Sequence, residues 1–252
     1  MNVLVFDIQT IPDIDGARRL YDLHGLSDDD VAKAIFHKRR QQANTETLPL
    51  HLHKIVTISA VMVNGEDFKV WSLGDENSTE EDLLQRFFSG LQRFMPTLVS
   101  WNGRGFELPV IHYRSLLYPV NAKCYWDLSD VDCNYQSRFD DRHTDLMDVL
   151  SCYQAQSTVA LDEMATLCGF PGTMCLANKK VWDSWQSGKI GLLRAGSQCN
   201  VLNTYLVYLN WQRNRGQISP ELYSSQCLLV RKNLQQSSSP QLLEFEKKWF
   251  DL

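Results

Sequence analysis

An Asn-Gly pair between two strand-like runs is the feature that most constrains the fold of this chain. Asn64-Gly65 follows a β-branched run at residues 54–63 and precedes a second run at residues 67–73. This dipeptide favours the tight turn of a β-hairpin. The apolar stretch at residues 2–8 is typical of a buried strand, and residues 97–101 indicate a further short one. The chain therefore places most of its β-structure in its N-terminal half.

Helical patterns flank and follow these strands. Asn77-Ser78-Thr79 precedes three acids and predicts a helix start at about residue 80. A second helix is predicted from the Asn102-Gly103 turn through Leu117. Helical periodicity returns from Thr144, and a long amphipathic helix is predicted over residues 190–212. Strand-rich segments ahead of mostly helical ones predict an α/β fold, with a mixed central β-sheet flanked by helices.

The predicted domain boundary lies near residue 215. Residues 1–215 contain all the strand-like runs and are predicted to form one domain, which a chain of this length can supply with a substantial core. Residues 216–252 are predicted to form a helical C-terminal tail, interrupted at residues 235–240.

Composition favours a cytoplasmic protein. The seven cysteines are scattered without C-x-x-C spacing, which is typical of reduced thiols and not of a disulfide framework or a zinc site. No apolar run approaches the ~18 residues that span a bilayer, and no basic signal region precedes the first strand-like run. The net charge of −5 does not favour nucleic-acid binding. It does not exclude a metal-dependent nuclease, whose own carboxylates and ions set the local field.

Asp7 and Gln9 lie two residues apart on the first predicted strand, so their side chains project to one face of the sheet. An Asp-x-Glu pair at this spacing suits a nuclease with two metal ions. One ion activates the attacking water, and the other stabilises the leaving 3' oxygen. Mg²⁺ and Mn²⁺ prefer charged oxygen ligands. The Gln9 amide can coordinate through its carbonyl but brings no charge.

Several segments, taken in order, resemble one known family. They read VFDIQTIPD, KIVTISAV, SWNGRGFELPVI, RHTDLMDVLS, LDEMATLCGFPG and VLNTYL. From about residue 2 to residue 213, the chain resembles a bacterial family of predicted DEDD-type 3'-5' exonucleases related to the proofreading domain of family B DNA polymerases. The resemblance implies an RNase H-like fold and Mg²⁺ or Mn²⁺ as cofactor. It also implies a single-stranded 3' end of DNA or RNA as the partner.

The resemblance also implies five positions of a catalytic centre. Asp7 matches the aspartate that would bridge both metals, and Gln9 stands where the family has glutamate. Glu107 matches the aspartate of the second motif with one more methylene, and Asn200 matches the aspartate of the third. Gly196 stands where the family has a tyrosine that orients the attacking water. Asp7 and Glu107 are then the surviving charged metal ligands.

These replacements predict a degenerate active site. Two of the charges expected at the four metal-binding positions are missing, and both losses fall on the water-activating metal. Altering even a residue that supports a metal ligand typically costs ~10–100-fold in affinity or activity, and the loss of two charged ligands should cost more. We therefore expect hydrolysis by the family's mechanism to be absent or very slow, as in a pseudoenzyme that keeps the fold and a strand-binding groove.

An active metal-dependent exonuclease is the alternative prediction. It would combine the surviving acids with a substitute taken from Asp13, Asp15, Asp145 or Asp148. Glu→Gln and Asp→Asn are also exchanges that trap a substrate, but the changes at Gly196 and Glu107 are not, which favours natural drift. A small-molecule α/β enzyme ranks last, because the sequence has no glycine-rich phosphate loop and no nucleophile motif.

The motifs also contain candidate contacts to a nucleic-acid strand. By resemblance these are Thr10, Asn102, Gly103, Arg104 and Phe106. The segment from Asn102 to Arg104 forms a predicted turn that could approach a strand, and a purely structural turn explains it equally well.

Structural roles are weighed for the other polar positions. Gln9 and Asn200 are expected to hydrogen-bond each other or Asp7, forming a satisfied polar cluster. Asp145 and Asp148 are expected to cap and support the fold and not to bind metal.

Overall fold

The computed structural model describes residues 2–127, 134–137, 142–174 and 178–249. In this part of the chain, five strands form one sheet in the order β3-β2-β1-β4-β5. The strands are β1 (Asn2–Pro12), β2 (His53–Asn64), β3 (Asp67–Ser72), β4 (Thr97–Ser100) and β5 (His143–Asp145). The β1–β2 and β2–β3 pairs are antiparallel, and the β1–β4 and β4–β5 pairs are parallel. The predicted α/β fold with a mixed sheet is confirmed.

Helices cover both faces of this sheet. They are α1 (Ile14–Tyr21), α2 (Asp28–Ala43), α3 (Glu80–Phe94), α4 (Glu107–Ser115), α5 (Lys123–Trp126), α6 (Leu146–Leu150), α7 (Leu161–Leu167), α8 (Asn178–Gln186), α9 (Ile190–Asn214), α10 (Pro220–Gln235) and α11 (Pro240–Lys248). Thr79 caps α3 by accepting a hydrogen bond from the Asp82 N–H, so the predicted helix start is confirmed. None of the helices described is both long enough and apolar enough to cross a membrane.

Alternate residues of β1 face opposite helical layers, because side chains along a strand have a period of two. Val3 and Val5 belong to the core cluster that includes α9. Leu4 and Phe6 belong to the cluster that includes α3 and α4. Asp7 continues the odd-numbered series, so its side chain faces α9. This geometry sets up the candidate site.

The two C-terminal helices pack on the same core as β1 and α9. Val230 and Leu234 of α10 and Leu242 and Phe245 of α11 are buried in that cluster. The segment predicted as a helical tail is thus helical and in contact with the core of the sheet.

One sequence prediction was wrong in its boundary. Thr144 was assigned to the start of a helix, but His143–Asp145 forms β5, and α6 begins at Leu146. The strand pairs in parallel with β4, with Leu98 opposite His143. A three-residue strand has too little local pattern to be recognised, and its pairing with a distant segment decides its conformation.

Candidate functional site

Asp7 accepts hydrogen bonds from three neutral side chains. Ser197 Oγ donates at 2.6 Å and Gln9 Nε2 at 3.2 Å to Oδ2, while Asn200 Nδ2 donates at 3.2 Å to Oδ1. Burial raises the pKa of Asp7 to about 6, and these three donors act in the opposite direction. The prediction that Gln9 and Asn200 hydrogen-bond Asp7 is confirmed.

The α9 donors reach Asp7 because they share one face of that helix. Ser197 and Asn200 lie three residues apart, a spacing that places side chains side by side on a helix. Ser197 is fully buried, whereas Gly196 is partly exposed beside it. Sequence reasoning missed Ser197.

Glu107 begins α4 and faces the same region. Its side chain is buried, with 8% of the residue exposed, and its Oε2 has no hydrogen-bond partner. Burial raises the pKa of Glu107 well above its usual value, and the nearby charges of Asp7 and Asp145 raise it further. A buried carboxyl oxygen without a hydrogen-bond partner is costly to a fold, and perturbed carboxyls of this kind cluster at functional sites.

Asp145 holds the turn that leads into α4. Its Oδ1 accepts from the Asn102 N–H at 2.9 Å, and its Oδ2 accepts from the Arg104 N–H at 2.8 Å. It also caps α6 by accepting from the Met147 N–H. The predicted capping role of Asp145 is confirmed.

The turn itself is tightly packed. Asn102 has a left-handed φ of 67°, and a Cβ on Gly103 would lie 2.2 Å from Ser100 Oγ, so the close approach requires glycine. The Arg104 guanidinium donates to backbone carbonyls, including those of Ser137 and His143. These contacts support the structural explanation of Gly103 and Arg104. A role for Asn102–Arg104 in strand binding stays a prediction.

Thr10 and Phe106 form a separate contact through His53. The His53 Nε2 atom lies 3.2 Å from the Leu48 carbonyl oxygen, so it carries the proton, and Thr10 Oγ1 then donates to Nδ1 at 2.8 Å. The Phe106 ring packs edge-on against His53, with centroids 5.1 Å apart. Burial lowers the pKa of His53, which agrees with a neutral ring. Neither Thr10 nor Phe106 lines the cavity that Asp7 and Glu107 border.

A cavity of about 330 Å³ lies between β1, α4 and α9. Its polar lining includes Asp7, Asn102, Glu107, Asp162 and Asn200. The structure therefore brings Asp7, Glu107 and Asn200 together, as the family resemblance implied. Asp162 was not singled out from the sequence, where it is one of two acids in the first turn of α7.

Apolar side chains form much of the remaining cavity wall. They include Phe6, Trp101, Met147 and Leu161. The Trp101 indole N–H donates to the Val159 carbonyl at 3.2 Å, which fixes the ring in place. A mixed lining of this kind is typical of a small-ligand site.

The residues present do not fit a two-metal centre. Across residues 2–127, 134–137, 142–174 and 178–249, no three His, Cys, Asp or Glu side chains are grouped closely enough to hold a metal ion. Both oxygens of Asp7 already accept hydrogen bonds, and Gln9 and Asn200 turn amide nitrogens toward them. Metal coordination would require both amides to rotate and present their carbonyl oxygens.

The four proposed substitute acids have other surroundings. Asp13 pairs with Arg114, Asp15 is exposed beside Arg18, and Asp145 holds the turn. None of these three lines the cavity, and neither does Asp148.

Residues 45–249 match a family described as predicted 3'-5' exonucleases related to the exonuclease domain of PolB. The matched range includes Glu107, Gly196 and Asn200, begins after β1, and extends past residue 213 through α10 and α11. A search of curated proteins finds no match.

Proposed function

Because the chain belongs to the family of predicted 3'-5' exonucleases related to the exonuclease domain of PolB, we propose that it binds a nucleic-acid strand end and cuts it very slowly or not at all. The α/β fold with its mixed sheet is consistent with an exonuclease domain of the RNase H-like kind. The family suggests divalent-metal chemistry and a nucleic-acid substrate. What we propose beyond the family match is that strand binding is retained and hydrolysis is lost.

One observation supports the loss of hydrolysis above all others. Asp7 accepts hydrogen bonds from Gln9, Ser197 and Asn200. The N–H and O–H groups of these donors place positive partial charges beside the Asp7 carboxylate. In a metal-bound carboxylate, the cation provides that positive charge. The centre is thus stable as a polar cluster without a cation.

The missing charge has a direct chemical consequence. In two-metal hydrolysis, one ion must lower the pKa of a water and the other must stabilise the leaving oxygen. The Asp7 and Glu107 carboxylates provide two charges where a fully acidic centre would provide four. Gly196 offers no hydroxyl to position a water. Each change removes a separate contribution to hydrolysis.

The cavity supports retained binding. At about 330 Å³ it lies at the lower end of the size range of ligand pockets. Its Trp101 wall is a suitable surface for stacking a base, since base–aromatic stacking is tolerant of sequence. These features favour one terminal nucleotide, with the rest of the strand outside.

A weakly active exonuclease is the second candidate, and Asp162 favours it. Asp162 lines the cavity together with Asp7 and Glu107, so three carboxylates border one space. Its Oδ1 accepts a hydrogen bond from the Thr173 N–H at 2.6 Å, and its side chain is exposed. This candidate predicts metal-dependent cleavage that requires Asp162.

End-labelled single-stranded DNA and RNA distinguish the two candidates. The protein is incubated with each strand in Mn²⁺ or Mg²⁺, beside Asp7→Ala and Asp162→Asn variants. We expect strand binding by fluorescence anisotropy and no shortening from the 3' end. Metal-dependent shortening that disappears in both variants would establish the second candidate.

A restored variant tests the assignment of the site. It combines Gln9→Glu, Glu107→Asp, Gly196→Tyr and Asn200→Asp. We expect it to bind Mn²⁺ and to shorten strands from the 3' end. A folded restored protein that neither binds metal nor cuts would show that these positions are not the catalytic centre.

A further inference from the structure

The Glu107 carboxyl is a buried polar group of the cavity whose hydrogen bonds are incomplete. It is 8% exposed, and its Oε2 has no hydrogen-bond partner. A buried polar group without a partner destabilises a fold, and more so if it is charged. Asp7, by contrast, has three donors. A ligand that brings a hydrogen-bond donor to Glu107 would supply what the protein does not.

The other walls restrict the shape of that ligand. Trp101 is fixed by its hydrogen bond to the Val159 carbonyl, and Phe6, Met147 and Leu161 add apolar surface. Flat, apolar-faced molecules fit such walls, because aromatic rings stack well on one another. The volume of about 330 Å³ accommodates one such unit and not a strand.

The charges of the cavity argue against a phosphate next to Glu107. Asp7, Glu107 and Asp162 line it, and no lysine or arginine side chain that the structure describes does so. A phosphate placed there would lie beside three carboxyl groups, with no described lysine or arginine in the lining to offset its charge. An amino group would meet acceptors. The favoured ligand is therefore a donor-bearing heterocycle, with any phosphate kept outside.

We propose that this cavity takes a nucleobase with an exocyclic amino group, which donates to the Glu107 carboxyl while the base lies against Trp101. A carboxyl oxygen accepts from an amino group whether or not the carboxyl carries a proton. This proposal rests on the proposed function, because it names the chemical group that the same cavity recognises. The base belongs either to a free nucleoside or to the unpaired end of a strand.

Adenosine and purine riboside form a matched pair of probes, since they differ by the amino group alone. Calorimetric titration of the full chain in EDTA should show adenosine binding about tenfold more tightly than purine riboside, as expected for one hydrogen bond to a charged or buried acceptor. Adenosine with a 3' or 5' phosphate should bind no more tightly than adenosine. Equal affinities for the matched pair, or no binding of adenosine, would overturn the proposal.

Two variants connect the effect to Glu107. Glu107→Leu should abolish the preference for adenosine, and circular dichroism shows whether the variant is folded. Glu163→Gln removes an exposed acid from the first turn of α7 and should leave the preference intact. A folded Glu107→Leu protein that keeps the preference would contradict the role of Glu107. If Glu107→Leu does not fold, Glu107→Ala takes its place, with the same loss of preference expected.

Short oligo(dA) and oligo(dT) strands separate this proposal from the proposed function. Oligo(dA) should bind more tightly than oligo(dT), and Glu107→Leu should remove that difference. If both strands bind equally and Glu107→Leu has no effect, strand binding stands and base recognition is wrong. If adenosine binds and neither strand does, base recognition stands and the proposed function is wrong. If Mn²⁺ alone binds through Glu107 and adenosine does not, the cavity is a metal site and the inference is overturned.

Discussion

Two buried polar centres join different segments of the chain, and they differ in how well their charges are compensated. In the Arg114 centre, the guanidinium pairs with Asp13 and with both oxygens of Glu80. Glu80 also accepts from the Ile55 N–H and the Tyr118 hydroxyl. Every charge there has an opposite charge or a donor.

The Asp7 centre is the opposite case. It contains Asp7 and Glu107, and neutral donors alone surround Asp7. Glu107 Oε2 has no partner. Both carboxyls have a raised pKa, mainly through burial.

The difference assigns separate roles to the two ends of α4. Arg114, near the C-terminal end, ties the helix to the start of α1, to α3 and, through Glu80, to β2 in a fully compensated cluster. Glu107, at the N-terminal end, lines a cavity, and its Oε2 atom accepts no hydrogen bond. The first centre stabilises the fold, and the second keeps the features of a binding site at some cost to stability.

The largest expected effect is at the Arg114 centre. Arg114→Met leaves Asp13 and Glu80 buried without a cation, which typically costs about 3–5 kcal/mol. Urea unfolding followed by circular dichroism measures this loss. Arg86→Met removes an arginine from an exposed pair with Asp82 on α3 and serves as the control. Equal stability of the two variants would show that the buried cluster does not support the fold.

Asn200→Asp should have the next largest effect, at the Asp7 centre. The change replaces a donor to Asp7 with a like charge and should cost about 1–3 kcal/mol in EDTA. Mn²⁺ should restore part of that stability, because the added carboxylate is a metal ligand. Asn210→Asp, on the same helix beside Arg213, is the matched control. If Asn200→Asp is neutral in EDTA, the hydrogen bond to Asp7 is not a stabilising contact.

Glu107→Gln should have the smallest effect, confined to higher pH. Because the folded pKa of Glu107 is raised, the folded protein holds this proton while the unfolded chain releases it above the ordinary pKa of 4.5. Protonated Glu107 therefore contributes to the stability of the fold below pH 4.5. This stability is lost as the pH rises through the folded pKa. The variant should therefore gain stability relative to the natural protein as pH rises.

Thermal unfolding from acidic to alkaline pH measures this difference. Glu163→Gln, which removes an exposed carboxyl from α7, should track the natural protein at every pH. A Glu107→Gln advantage that is independent of pH would indicate a packing effect and not the release of a proton.

Local sequence patterns predicted the features of both centres that depend only on residues close together in the chain. The shared face of Asp7 and Gln9 follows from the period of a strand, and Thr79 caps α3 as its residue type predicts. The family resemblance supplied the convergence of Glu107 and Asn200 on Asp7, which no local pattern contains.

Long-range pairing explains what sequence reasoning missed. The Arg114 cluster joins three segments through Asp13, Glu80 and Arg114, and each residue alone reads as an ordinary helix-terminal charge. Ser197 has no distinguishing local pattern in the sequence. It donates a hydrogen bond to Asp7 because α9 packs against β1. Both depend on packing between elements that are far apart in the chain.

Mn²⁺ titration calorimetry of the natural protein tests most directly whether the Asp7 centre has become a hydrogen-bonded cluster in place of a two-metal site. We predict no tight binding of two ions by the natural protein, because Gln9 and Asn200 supply donors where charged ligands are needed. The restored variant should bind Mn²⁺ far more tightly. Tight binding of two Mn²⁺ ions by the natural protein, lost in Asp7→Ala, would contradict this account.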